Sequence, residues 1–262
     1  LLPLEVPAGE RPEAWAADIE QLIAGRPAVD EPVVFLDKDR RIIRFQLDRL
    51  SDAELLAIRP QADNPNFAMV SLSILCREST PDKSRSQALA NYSRLSGKNE
   101  VDAIAAAFEY LPEGQGGAVA RNKLARLLAR LQPEVLRDQA DLIRRKISSS
   151  GDAGLKSGLY GALVTIGQVE SAEQLAEKSE ADRQAFLTGI RFSNNGPIRN
   201  SLHGRVLGEL SRKSNRQNGN TKRAAIETLA SIEAEKEKSF DAIAKLAPRK
   251  AFKTVAIQAL LK

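Results

Sequence analysis

A stretch near the C-terminus, Thr221–Ile232 (TKRAAIETLASI), recurs 31 residues later as Phe252–Lys262 (FKTVAIQALLK). In both copies a lysine precedes small and branched apolar residues at positions i, i+1 and i+4. This spacing is the stripe of a helix with one buried face. Because a single helix cannot bury these apolar residues by itself, the recurrence predicts neighbouring copies that pack on one another.

Looser copies of the same pattern begin upstream at Arg85, Arg121 and Lys156, 36 and 35 residues apart. The next start, at Lys222, follows after 66 residues, which is two repeats of about 33 with a degenerate copy (DRQAFLTGIRFS) between them. Helical repeats of this length are typical of an α-solenoid built from antiparallel helix pairs. We therefore predict an all-α repeat domain over residues 51–262.

Residues 1–50 are predicted to form a separate N-terminal lead-in. It begins with a proline-rich opening and one short amphipathic helix, Glu13–Ala24. The following segment, Val33–Leu47 (VVFLDKDRRIIRFQL), is ambiguous, because its apolar residues fit either two short strands around a turn or a helix. We favour a strand pair or an extended segment and keep the helix as the alternative.

Two local signals mark the start of the repeat domain. Ser51 and Glu54 have the spacing of a capping box, which predicts a helix beginning at Ser51. The segment Phe67–Arg77 is apolar nearly all round and predicts a buried helix, in which Cys76 is a small core residue.

The composition fits stacked helices. Hydrophobic residues make up 42% of the chain but aromatic residues only 5%, and β-sheet cores favour aromatic and β-branched side chains. No run of 18 apolar residues occurs, so no membrane span is predicted. Cys76 is the only cysteine, which excludes an intrachain disulfide.

The residue inventory argues against an enzyme. His203 is the only histidine and Cys76 the only thiol, which excludes the Cys/His patterns of structural zinc sites. The glycines of GQGG (114–117) lack the sequence context of a phosphate loop, and we interpret Gly158 and Gly161 as sites where a neighbouring helix approaches closely. We expect no catalytic residue, no cofactor and no metal.

One charge pattern stands out. The net charge of the chain is only +5, but residues 191–223 carry eight basic residues against the single acid Glu209. The basic residues, which form the candidate partner-binding patch, are Arg191, Arg199, Arg205, Arg212, Lys213, Arg216, Lys222 and Arg223. A second basic segment spans Arg121–Lys146, and equivalent helices of a solenoid could merge the two into one stripe. We favour the interpretation that the loop SRKSNRQNGNTKR (211–223) is simply solvated, with binding of an acidic partner or of nucleic-acid phosphates as the alternative.

The amino-acid sequences of two regions resemble those of a known family. RFQLDRLSDAELLAIRPQADNPNFAMVSLS (44–73) with the following PDKSRSQALANYSRLSGKNE, and the last 42 residues, are similar to the helical region of planctomycete-type multidomain c-type cytochrome proteins. The resemblance implies HEAT-like repeats beside haem and dehydrogenase-like domains in an exported redox protein. The chain has no CxxCH motif, so no haem role is carried over to any residue.

These observations predict a non-enzymatic HEAT-like scaffold that mediates protein–protein or interdomain contacts. An opening without Met suggests a fragment of a larger protein, exported or periplasmic if the resemblance holds and otherwise cytoplasmic. The alternative function is a nucleic-acid-binding repeat protein, such as a DNA-repair glycosylase-like module, that uses the basic stripe.

Overall fold

The computed structural model describes residues 32–61, 63–112, 117–212 and 219–261, and every regular element in these ranges is a helix. The all-α prediction is therefore confirmed for the described residues. In chain order the helices are α1 (Arg40–Asp48), α2 (Asp52–Ala57), α3 (Phe67–Cys76), α4 (Asp82–Ser96), α5 (Glu100–Tyr110), α6 (Ala118–Ala129), α7 (Pro133–Asp138), α8 (Ala140–Ser149), α9 (Ala153–Thr165), α10 (Val169–Ala176), α11 (Glu180–Phe192), α12 (Gly196–Ser201), α13 (His203–Ser211), α14 (Gly219–Leu229), α15 (Lys236–Ala244) and α16 (Lys253–Leu260).

The strand pair favoured for Val33–Leu47 is wrong, and the helical alternative holds for its second half. The Asp39 side chain accepts a hydrogen bond from the Arg41 backbone and caps α1, which buries Ile43 and Leu47. Before α1 the chain is irregular, and Phe35 donates its backbone N–H to the Gln46 side chain at 3.0 Å. A capped helix prevailed because it buries two apolar residues on one face. The predicted helix Glu13–Ala24 lies outside the described residues.

The capping box at Ser51 and the buried helix that begins at Phe67 are both confirmed. Ser51 and Glu54 form both hydrogen bonds of a capping box at the start of α2. The helix α3 is buried along most of its length and ends with the buried Cys76. A small apolar cluster joins α1, α2 and the first turn of α3, so residues on both sides of the predicted boundary at residue 50 share it.

Two segments that the apolar pattern predicts as single helices are each split in two. Pro133–Ile147 becomes α7 and α8, with a break at Gln139 (φ −105°, ψ 12°). Ile198–Leu210 becomes α12 and α13, with a break at the buried Leu202. Neither break falls on a proline or glycine, so the local sequence carries no signal for it.

The centre of the molecule is the buried helix α9. It packs between α6 and α11, while α11 packs in turn on α14, and α14 on α16. The intervening helices α8, α10, α13 and α15 lie against the members of this row. One continuous apolar cluster extends from Leu72 in α3 to Ala256 in α16.

The glycines of α9 have the role expected of them. A Cβ atom on Gly158 would lie 2.9 Å from the Cα of Ala125 in α6, and one on Gly161 would lie 2.7 Å from the Cβ of Ala129. Real Cβ atoms do not approach other atoms this closely, so a side chain at either position would push α6 and α9 apart.

The two similar C-terminal stretches that begin at Thr221 and Phe252 form the helices α14 and α16, which contact each other. Ala225 and Ala256 are fully buried at matched positions, as the shared stripe predicts. The matched lysines differ, because Lys222 is only 2% exposed whereas Lys253 is exposed.

Basic residues at three of the predicted repeat starts reach back to the end of a preceding helix. Arg85 in α4 donates to the carbonyls of Leu75 and Arg77 at the end of α3. Arg121 in α6 donates to the Leu111 carbonyl after α5 at 3.4 Å, and Lys222 in α14 to the Leu210 carbonyl of α13 at 3.1 Å. These donors satisfy carbonyls that a helix end leaves without an intrahelical partner.

Candidate functional site

The eight basic residues of the predicted patch do not form one row of free cations. Lys213 and Arg216 lie outside the described residues. Three of the others form ion pairs with carboxylates on neighbouring or the same helices: Arg191 with Glu227, Arg205 with Glu173 at 2.5 Å, and Arg212 with Glu209 at 3.4 Å. Because these pairs lie within the molecule, they reduce the charge that the patch presents to a partner.

The remaining three described members donate to backbone carbonyls. Arg199 donates to the carbonyl of Ser193 at 3.4 Å, and Arg223 to that of Ala251 at 3.2 Å. Lys222 is buried, and this burial lowers the pKa of its ammonium group. Lys222 thus serves the packing of α14 rather than the surface.

The two basic segments nevertheless meet at one point, around Phe192 at the end of α11. The guanidinium carbon of Arg126 lies 5.6 Å from the centre of the Phe192 ring, and that of Arg191 lies 5.7 Å from it. Arg130, one turn after Arg126 on α6, donates to the Phe192 carbonyl at 3.4 Å. Burial lowers the pKa of Arg126, and the positive charges of Arg191 and Arg130 lower it further.

Beside this point a cavity of about 330 Å³ opens between α4 and α6. Its lining contains four basic residues and one acid, and the full set is Asp82, Arg85, Ser86, Lys123, Arg126, Leu127 and Arg130. We refer to it as the α4–α6 cavity. The sequence pattern marked Lys123, Arg126 and Arg130 as part of a basic segment. The sequence pattern did not include Arg85 in this basic segment, because Arg85 lies 36 residues before Arg121. Only the packing of α4 near α6 brings Arg85 to the same cavity.

A second cavity, of about 310 Å³, lies between α10, α11 and α13 and carries mixed charge. Its lining includes Arg205 and Arg212 of the predicted patch, together with their partners Glu173 and Glu209. Opposite charges are therefore already matched at this cavity, and it offers no net field for an anionic ligand.

A group of apolar side chains is exposed at the N-terminal end of the described chain. Phe35 is 58% and Phe45 61% exposed, and Val33 and Ile42 are also exposed. The Gln46 side chain fixes the segment before α1, because it bonds both the N–H and the carbonyl of Phe35. We call Val33, Phe35, Ile42 and Phe45 the apolar face. Large apolar groups held in solvent at one place are typical of interaction surfaces.

The two residues with the most reactive side chains are buried. Burial raises the pKa of the Cys76 thiol to about 12, so the thiolate that a nucleophile requires is not formed at neutral pH. The Nε2 atom of His203 lies 2.9 Å from the Ser239 hydroxyl, and His203 is buried between α13 and α15.

No group of three or more His, Cys, Asp or Glu side chains in the described residues is arranged to hold a metal ion. Among the described helices, none has the length and apolar character to cross a bilayer.

Comparison with known proteins identified no relative. No protein-family model, no curated protein and no solved structure matches this chain.

Proposed function

We propose that residues 51–262 form a HEAT-like α-solenoid that serves as a scaffold for another protein or for a neighbouring domain. The row α6–α9–α11–α14–α16, with an outer helix or helix pair between successive members, has the connectivity of stacked repeats. The equivalent carbonyl contacts of Arg85, Arg121 and Lys222 support the same interpretation, since residues at matched repeat positions take the same structural role.

The observation that carries the scaffold function is the apolar face, which precedes residues 51–262 and is joined to their first helices by a shared buried cluster. The Gln46 hydrogen bonds fix the backbone of Phe35, and Phe45 lies on the helix α1, so the main chain that carries both exposed rings is already folded. Pre-ordered aromatic side chains are favourable contact residues, because little conformational entropy is lost when they are covered. We propose that a partner with a complementary apolar surface covers Phe35 and Phe45.

The experiment is a quantitative affinity purification of the wild-type chain and a triple variant, Phe35→Glu, Ile42→Glu and Phe45→Glu. The matched control is Phe240→Glu, which changes an equally exposed apolar residue on α15. A partner retained by the wild type and by the control, and lost from the triple variant, is then purified and its affinity for the three chains measured. If the triple variant retains every partner at wild-type affinity, the apolar face has no scaffold role.

A second function, nucleic-acid binding, is favoured by the meeting of the two basic segments at Phe192. Arg126, Arg130 and Arg191 come together there from two helices. A duplex needs an extended set of cations along its phosphates, and the affinity then falls steeply with salt. Fluorescence anisotropy with a duplex DNA at low salt tests this function, and the absence of binding would exclude it.

A further inference from the structure

Arg85 is a buried cation that forms no ion pair with a described carboxylate. Its residue is 1% exposed, and its two terminal nitrogens donate to the carbonyls of Leu75, Arg77 and Thr80. Among the described residues, the Nε atom of Arg85 has no hydrogen-bond partner. Buried charges are normally paired, and a buried donor without an acceptor costs free energy.

The other three cations that line the α4–α6 cavity form no ion pair with a carboxylate of the described residues either. Lys123 donates to the Glu78 carbonyl at 2.6 Å, Arg126 faces the Phe192 ring, and Arg130 donates one nitrogen to the Phe192 carbonyl. This distinguishes them from Arg191, Arg205 and Arg212, which are paired with glutamates. Like charges held close together repel one another unless an anion lies between them.

We propose that the α4–α6 cavity is a binding site for a phosphate-type oxyanion, held by Arg126, Arg130 and Lys123, with Arg85 adding its positive charge to the lining. This site goes beyond the scaffold function and does not depend on it. No part of it uses the apolar face.

The chemistry of the lining favours a phosphate group over a carboxylate. A phosphate monoester carries close to two negative charges at neutral pH and three acceptor oxygens, which matches several guanidinium groups around one volume. Ser86 adds a hydroxyl donor at the edge, and Asp82 is the single acid of the lining. A net excess of three cations remains for the ligand.

The arrangement favours a discrete anion over a nucleic-acid duplex. Outside this cavity the described cations of residues 191–223 are engaged by Glu227, Glu173, Glu209 or by carbonyls. A duplex, with one charge about every 1.7 Å, needs cations along an extended path, and these six engaged residues do not supply one. One compact group suits one phosphate.

The test uses the full chain and calorimetric titration at low salt with three probes: inorganic phosphate, a phosphoserine peptide and its unphosphorylated counterpart. Arg126→Gln with Arg130→Gln removes two cations of the lining while leaving the buried Arg85 in place. The matched control, Arg137→Gln with Arg145→Gln, removes the same charge from exposed positions of the same basic segment.

The expected result is saturable binding of a phosphate probe that the first double variant weakens at least tenfold and the control leaves within twofold. Equal affinity for phosphate and the phosphopeptide would indicate a small phosphorylated ligand, and at least tenfold tighter peptide binding would indicate a modified protein. The proposal is overturned if neither phosphate probe binds, if the unphosphorylated peptide binds equally well, or if both double variants lose affinity equally. It is also overturned if a duplex DNA binds and displaces phosphate with the salt dependence of many contacts.

Discussion

Gly161 in α9 and Gly189 in α11 face each other so closely that the main chains of the two helices are in contact. A Cβ atom on Gly189 would lie 2.7 Å from the backbone nitrogen of Gly161, and a Cβ on Gly161 would lie 2.9 Å from the carbonyl oxygen of Gly189. The two helices therefore touch through main-chain atoms, without side chains between them. This contact sets the spacing of the helices at the centre of the molecule.

Gly189→Ala should destabilise the fold by about 1–3 kcal/mol, because the new methyl group meets backbone atoms of α9 that cannot rotate away. The measurement is the free energy of unfolding in urea. Gly208→Ala on α13 is the matched control, since a Cβ there meets nothing within 4 Å. The control should be neutral or stabilising by up to about 1 kcal/mol through helix propensity. Equal stability of the two variants would contradict the close contact.

Leu229→Asp should unfold the C-terminal helices before the rest. Leu229 is buried in the seam between α14 and its neighbours, and truncation of a buried leucine alone costs about 2–5 kcal/mol before the charge is added. In a repeat protein the loss stays local, so hydrogen exchange should accelerate in α13–α16 while α3–α6 stay protected. Leu261→Asp, at a position 82% exposed, should leave exchange unchanged. Uniform acceleration along the whole chain would argue for one cooperative globule instead of repeats.

Asp182 should contribute to the loss of folding stability as the pH falls into the acid range. Burial raises the pKa of this carboxyl, but hydrogen bonds from Lys156 and Ser179 outweigh it, so the folded-state pKa lies below 3.8. A lowered pKa gives stability that is complete above about 3.8 and is lost as the pH falls through the folded-state value.

The change to test is Asp182→Asn, followed by melting temperatures from pH 7 to pH 3. The variant should be less stable at pH 7, because Lys156 loses its counter-ion, and its melting temperature should fall less steeply in acid. Asp141→Asn, which changes a carboxylate that is mostly in solvent, should keep the wild-type slope. If the melting temperature of Asp182→Asn falls as steeply in acid as that of the wild type, the ionised Asp182 does not stabilise the fold.

Cys76 should be inert in the native protein. Its thiol is buried, donates to the Ala107 carbonyl and has a pKa raised to about 12, so almost no thiolate is present at neutral pH. A disulfide reagent such as DTNB should react at least a hundredfold more slowly with the native chain than with the chain in denaturant. Fast reaction under native conditions would show that α3 opens and that Cys76 is accessible.

Much of the helical pattern was readable from residue order alone, because apolar periodicity and caps act over a few residues. The capping box at Ser51, the buried helix ending at Cys76 and the small residues Gly158 and Gly161 all behave as predicted. The segment Val33–Leu47 was misjudged, since its β-branched residues fit a strand as well as a helix until Asp39 caps one end.

The charged residues could not be assigned in this way, because an ion pair depends on which helices become neighbours. Arg191 and Glu227 lie 36 residues apart, and no local pattern connects them. The same holds for Arg85, which the sequence marks only as the start of a repeat copy and which the fold encloses beside Lys123 and Arg130.

Short-range interactions therefore decided where helices form. Long-range packing decided which cations form ion pairs or donate to carbonyls within the fold, and which of the described cations form no ion pair. Periodicity reports whether a side chain lies on a helix face. It does not report what covers that face, since this depends on segments that meet only when the chain is folded.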